Sequence, residues 1–209
     1  MAKKRKYYVV WKGRQSGVFS TWEECSAQVT GFTGAEYKAF DSRGAAEEAF
    51  RGQYEDYKGQ RTTPLSQEEL FRIGLPNPES YSVDASCIGY PGPVEYRCVH
   101  TRTRKEIFRQ GPLPNGTNNI GEFLGLVHTL ALLKQKGITL PIYSDSENAI
   151  GWVRQKKCRT RLERNETNAE LFGLIERAEN WLQNNEYENQ VLKWETDAWG
   201  ENPADFGRK

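Results

Sequence analysis

Tyr81-Ser82-Val83-Asp84-Ala85-Ser86 sets an acid in the middle of a strand-like run. Strand interiors disfavour Asp, so this one calls for a turn, a partner or a metal. Two further strand-like runs follow, Val94 to Val99 and Glu106 to Gln110, with Pro91-Gly92-Pro93 and the charged Thr101–Lys105 stretch as connections. Thr117-Asn118-Asn119 then precedes Glu122 and an apolar series at Phe123, Leu126, Val127, Leu130 and Leu133. That spacing is one face of a helix, and Gly137 ends it. Leu140 to Ser144 reads as a strand, followed by a helix from Ser146 to Gln155. A second amphipathic helix spans Asn168 to Asn184, with Leu171, Leu174, Ile175, Ala178 and Leu182 inward, and Val191 to Trp194 is a last strand. The order βββαβα(α)βα implies a mixed sheet with helices packed on it, of the α+β or α/β class.

Four acids stand at the ends or starts of these elements: Asp84 in a strand, Glu122 in the first turn of a helix, Asp145 just past a strand, and Asp205 in Gly200–Gly207 near the C-terminus. Each alone has a plain structural use, since a first-turn Glu complements the helix dipole and a strand-end Asp suits a turn. Converging at one edge of a sheet they would repel one another, and hard divalent cations relieve that repulsion. Mg²⁺ takes oxygen ligands and keeps waters, so it suits a carboxylate cluster facing a phosphate. Two such ions can activate a water and stabilise a leaving oxygen in phosphodiester hydrolysis.

Upstream lies a smaller unit. Tyr7 to Trp11 reads as a strand, Gly13 to Gly17 as a turn, and Thr21 with Glu24 as the capping box of a helix that Gly31 to Gly34 breaks. Tyr37 to Phe40 is a short strand, and Asp41 or Ser42 caps a helix running to about Phe50. From Arg51 to Ser80, Gly, Gln, Thr and Pro accumulate, and Pro64, Pro76 and Pro78 exclude long regular structure, with room for a helical turn or two over Ser66 to Ile73. The expected organisation is a unit over 1–50, a linker over 51–79 and a second unit over 80–209.

The motifs YSVDAS, TNNIGEFLGLVHTL, IYSDSENAIGWV and GENPAD, in that order, resemble type 1 ribonuclease H from Tyr81 to the C-terminus. The resemblance implies a mixed five-stranded sheet flanked by helices and hydrolysis of the RNA strand of RNA–DNA hybrids. It assigns two Mg²⁺ ions, with Mn²⁺ as a substitute, to Asp84, Glu122, Asp145 and Asp205. Thr117, Asn118 and Asn119 match a stretch that contacts the DNA phosphate and the RNA 2′-hydroxyls, Asn168 a second phosphate-pocket residue, and Trp152 an aromatic of the DNA channel. Residues Tyr7 to Phe50 resemble the hybrid-binding, viroplasmin-like domain found ahead of such enzymes, in which Tyr8, Trp22, Tyr37 and Lys38 match nucleic-acid contacts. Two departures stand out. The family commonly has adjacent lysines where this chain has Lys38-Ala39, and the segment before Asp205 lacks the histidine thought to help product release.

The remaining composition is consistent with this reading. Lys and Arg number 29 against 28 Asp and Glu, so bulk charge names no partner. Basic residues nonetheless gather at Lys3–Lys6 with Lys12 and Arg14, and over Arg154–Arg164. Such patches on a near-neutral chain suit local phosphate contacts. Cys25, Cys87, Cys98 and Cys158 match no zinc or redox spacing, which fits a reducing compartment. No apolar run reaches membrane-spanning length and the basic start has no apolar core of a signal peptide, so a cytoplasmic protein is expected. The partner expected is hybrid nucleic acid, with no membrane and no obligate protein partner. The competing class is a hybrid or double-stranded-RNA binder without catalysis, which cleavage of a labelled hybrid with and without EDTA separates from the first.

Overall fold

In the computed structural model of the chain, residues 6–57, 65–89 and 91–207 are described, and the chain divides into units of residues 1–72 and 73–209. Lys3, Lys4 and Arg5 of the basic start and Pro64 of the expected linker lie outside the described residues.

In the first unit, β1 (Tyr7–Lys12) is the middle strand of an antiparallel sheet, between β2 (Gly17–Phe19) and β3 (Glu36–Phe40). Strand alternation sends consecutive valines of β1 to opposite faces. Val10 packs with Cys25 and Val29 of α1 (Trp22–Val29), and Val9 packs with Phe40 and with Ala46 and Ala49 of α2 (Arg43–Arg51). Both helices start as their sequences dictate. The Thr21 hydroxyl accepts from the Glu24 N–H at 3.2 Å while the Glu24 carboxylate accepts from the Thr21 N–H at 3.2 Å. Ser42 caps α2 by accepting from the Ala45 N–H at 3.2 Å. The expected linker holds two short helices, α3 (Tyr54–Tyr57) and α4 (Gln67–Ile73), the latter opened by Ser66 and Glu69 in the same reciprocal capping. No residue of α4 is buried.

The second unit is built on a five-stranded sheet in the order β6-β5-β4-β7-β8. β4 (Tyr81–Cys87), β5 (Gly92–His100) and β6 (Glu106–Gly116) form an antiparallel meander, and β7 (Ile142–Ser144) and β8 (Val191–Lys193) continue it in parallel. The central helix α5 (Asn118–Gln135) packs on β4 and β5, with α6 (Glu147–Arg154) and α7 (Ala169–Asn184) beside it, and α8 (Thr196–Trp199) is one turn after β8. Ile120, Phe123, Leu126, Leu130 and Leu133 of α5 are fully buried with Val83, Ile142, Leu171 and Leu182.

Glycines set the height of α5 above the sheet. A Cβ at Gly121 would lie 2.7 Å from the Ala85 Cβ and 2.7 Å from Val94, and one at Gly125 would lie 2.6 Å from a Val83 methyl. All three distances are shorter than side chains tolerate, so only glycine lets the helix come this close to β4 and β5. Glu122 lies between these two positions in the chain, which brings its carboxyl down to Asp84.

Two local expectations are corrected. Pro91-Gly92-Pro93 is not wholly a connection, because β5 already begins at Gly92, paired across a bulge with Gly116. Gln110 does not end β6, which runs on through Pro112 and Pro114. Proline removes a ladder donor, and an edge strand has spare donors to lose. Near the C-terminus, Asn202 and Pro203 start a turn, closed by the Asp205 N–H donating to the Asn202 carbonyl at 2.8 Å.

Candidate metal centre and nucleic-acid surfaces

Asp84 projects from the middle strand β4, Glu122 from the first turns of α5, and Asp145 from the residue after β7. These three offer carboxylate oxygens within 4.8 Å of one another. Asp84 is 7% exposed and Glu122 2%. The Asp84 carboxyl is pushed up to about 7, by burial first and also by the charges of Asp145 and Asp205, against the pull of a hydrogen bond with Glu122. Glu122 is raised well above the carboxylate range, by burial first and then by Asp84 and Asp145. Both shifts run the same way, so the pair keeps a proton more readily than two isolated carboxyls would. Asp145 is also raised, chiefly by burial, against the opposing pull of Lys193 and a hydrogen bond from Asn202. Its Oδ1 is buried and has no hydrogen-bond partner among the described residues, a costly arrangement for a carboxylate oxygen that a further group would repay.

The cluster is held by residues that the sequence reading passed over. The Ser144 hydroxyl donates to Glu122 Oε2 at 2.9 Å and accepts from the Ser146 N–H at 3.1 Å. The Lys193 ammonium donates to the Asp145 carbonyl. Asn202 is buried; its Nδ2 donates to the carbonyl of Val83 at 2.9 Å and its Oδ1 accepts from the Ala204 N–H at 2.9 Å. It therefore ties β4, beside Asp84, to the turn that carries Asp205. Period-two alternation is the signal that could have found Ser144, which lies two residues from the buried Ile142 on the same strand.

Asp205 stands at the edge of this group. Its charge acts on Asp84 and Asp145, but its Oδ1 accepts from the Gly207 N–H at 2.7 Å and it is not among the three acids whose oxygens converge. Arg97 on β5 grips this segment, donating from Nε to the Ala204 carbonyl at 2.7 Å and from Nη2 to the Asp205 carbonyl. The Phe206 ring lies against Arg97 and Arg109, 4.8 and 5.1 Å from their guanidinium carbons. Phe206 thus meets the sheet through cations of β5 and β6.

Thr117 is the N-cap of α5, and its hydroxyl makes no capping bond; Asn118 is exposed and Asn119 half-buried in the first turn. Asn168 is fully buried at the start of α7. Its amide donates to the Glu163 carbonyl at 3.0 Å and the Asn115 carbonyl at 3.5 Å, and accepts from the Asn165 N–H at 2.8 Å, which links the loop before α7 to the one before α5. Trp152 is half-buried against the core, edge-on to Phe123 at 6.2 Å. In the basic cluster, Lys157 pairs with Glu179 and Arg164 with Glu176, while Arg154, Lys156 and Arg161 are exposed.

The first unit carries an aromatic surface. Trp22 lies 5.6 Å from Tyr8 and 5.8 Å from Tyr37, ring centre to ring centre, and is 44% exposed, with Tyr37 41% exposed. Lys38 is not part of this group. It faces Val9 across the ladder, on the α2 side, and its ammonium donates to the Tyr57 carbonyl. Adjacent residues of a strand point to opposite faces, so Tyr37 and Lys38 could not share one.

A family model described as RNase H matches residues 78–195, more than half of the chain, and one described as Ribonuclease H1 N-terminal domain matches residues 6–50. The chain belongs to the RNase H family. A Ribonuclease H of Schizosaccharomyces pombe is 54% identical over 48 residues, covering 23% of this chain and 18% of that protein. A Ribonuclease H of Crithidia fasciculata is 36% identical over 91 residues, covering 41% of this chain and 18% of that protein. The chain thus spans about a fifth of the length of these curated relatives. The solved RNase H1 of Halobacterium salinarum is 18% identical, with 55% of this chain and 83% of that one covered and a TM-score of 0.35.

Proposed function

We propose that the chain hydrolyses the RNA strand of RNA–DNA hybrids, leaving 5′-phosphate ends, and that its first unit binds the hybrid. The observation that carries this reading is the buried cluster of Asp84, Glu122 and Asp145 with Asp205 at its edge. Its chemistry fits a hard dication: all donors are oxygens, one buried oxygen of Asp145 has no partner among the described residues, and Asp84 and Glu122 favour a proton that a cation would displace. Asp84, Glu122, Asp145 and Asp205 would hold two Mg²⁺ ions, with Mn²⁺ as a substitute. When bound, such a pair supplies a water activated for attack and charge to stabilise the leaving oxygen.

The protein's own part is placement. Ser144 orients Glu122, and Asn202 fixes the turn of Asp205 relative to β4. The Thr117 hydroxyl and the amides of Asn118 and Asn119 are suited to the RNA 2′-hydroxyls, which are donor and acceptor at once, and to a phosphate of the DNA strand. Asn168 supports the phosphate pocket by holding the loop at Asn115, and Trp152 lines the DNA channel. Tyr8, Trp22 and Tyr37 stack on sugars or bases, and Lys38 meets a phosphate from the edge strand β3. In this reading residues 1–50 bind hybrid, 51–79 link and 80–209 catalyse, in a cytoplasmic setting that keeps four thiols free. No helix among the described residues is long and apolar enough to cross a membrane. The test is cleavage of a hybrid labelled on its RNA strand: Mg²⁺ should support it and EDTA should stop it. Hybrid binding without cleavage in Mg²⁺ would sink the proposal.

A further inference from the structure

A cavity of about 430 Å³ opens between α5, α7 and the strands β5 and β6, and shares no residue with the acid cluster. Its floor is apolar, with Leu124 and Val127 of α5 and Leu174 of α7. Around it stand the Tyr96 hydroxyl, the Gln110 amide, the His128 imidazole, the Arg177 guanidinium and the Trp181 indole. Among the described residues none of these side chains has a hydrogen bond or ion pair with the protein, although Tyr96 is 4% exposed. None of their polar atoms is sealed from solvent without a partner, so each opens to the outside. A tyrosine as buried as Tyr96 ordinarily has its hydroxyl bonded, while Gln110 and Arg177 are exposed at the mouth, and polar groups set around one apolar space are the pattern of a ligand site.

The set has a definite chemistry. Tyr96, His128 and Arg177 line the same cavity, with the Tyr96 and His128 rings 6.1 Å apart, centre to centre. The guanidinium presents a planar fork of donors that matches a carboxylate in two bonds. The aromatic walls are held flat: His128 stacks on Phe108 with centroids 4.0 Å apart, and Trp181 stacks on Tyr187 at 6.1 Å. Acids lining the cavity would repel an anion, and none does.

We propose that this cavity is a binding site for a planar aromatic carboxylate, its ring held between α5 and α7 and its carboxylate paired with Arg177. His128 and Tyr96 supply further donors. The site is independent of the acid cluster and does not rest on the proposed hydrolysis.

The probe is 2-naphthoate, titrated into the full chain and followed by the ring signals of the two histidines in NMR. His128 signals should shift saturably while those of His100 stay. Neutral 2-naphthamide and Arg177→Gln should each weaken binding by about tenfold or more, the worth of a charge-assisted bidentate pair. Ala131→Phe, which fills the cavity, should abolish binding. Arg177 is exposed, so its replacement does not threaten the fold. An absent or unsaturable shift, equal shifts at both histidines, or unchanged affinity in Arg177→Gln would overturn the proposal.

Discussion

The two units depart from ordinary protein architecture in opposite directions. The first leaves large aromatics out in solvent, with Trp22 and Tyr37 both more than two-fifths exposed. The second takes carboxylates out of solvent, with Glu122 2% exposed under α5. An exposed aromatic patch costs solubility and a buried acid costs desolvation, and neither helps its own fold. The difference teaches what each surface awaits. Exposed rings await a flat, partly apolar partner, and buried carboxylates await positive charge. Rule-breaking of this kind marks function more sharply than the well-packed core around it.

Removing charge from the second unit should have the largest effect. Asp145→Asn keeps the shape but offers a poor ligand, and cleavage in Mg²⁺ should fall on the order of a thousandfold or more. Hybrid affinity should stay near wild type, and substantial cleavage by this variant would take Asp145 out of the site.

Acidity comes next, and it concerns the protein without divalent ions. Because the folded Asp84 carboxyl sits at about 7, above its ordinary value, the folded state favours the protonated form. Its contribution to stability is full below about pH 4 and is lost as pH rises through about 7, on the order of a few kcal/mol. Thermal melts in EDTA should therefore show a midpoint that falls from pH 5 to about pH 8 and recovers with Mg²⁺. Asp84→Asn should flatten that fall; an undiminished pH slope in the variant would assign it to other groups.

Gly125→Ala tests the packing that brings the acids together. The added methyl meets Val83, and overpacking should cost about 1–3 kcal/mol in denaturant melts, with a higher Mg²⁺ requirement for cleavage. Normal stability with a normal Mg²⁺ requirement would mean that α5 does not set the carboxylate spacing.

The aromatic surface should yield the smallest effects. Trp22→Ala and Tyr37→Ala should each weaken hybrid binding by about 1–3 kcal/mol without lowering the melting midpoint. Lys38→Ala should cost less, about 1 kcal/mol or below, since its ammonium already bonds the Tyr57 carbonyl. If Trp22→Ala unfolds the first unit instead, the ring belongs to the core and the contrast between the units narrows.

Much of this was legible in the sequence because the elements announce themselves locally. The reciprocal cap at Thr21 and the simple cap at Ser42, the helical spacing from Phe123 to Leu133 and the alternation in Tyr81–Cys87 each follow from residues a turn or a pleat apart. What escaped is set from a distance. β2 is three residues whose pairing to β1 outweighs a turn-like composition. The prolines of β6 are tolerable only because that strand is an edge. The acids could be named from their motifs, but Asn202, which binds a carbonyl more than a hundred residues away in the chain, could not be. Lys38 is the opposite case: alternation within Tyr37-Lys38 was visible from the start and separates it from the aromatic face.

The glycines of α5 carry one more consequence. With Gly121 and Gly125 against Ala85, Val83 and Val94, the separation of Glu122 from Asp84 is gauged by backbone touching side chain rather than by flexible carboxylate arms. A gauge of that kind gives little. The height of α5 above the sheet, and not the reach of two side chains, therefore decides how much room the carboxylates leave between them.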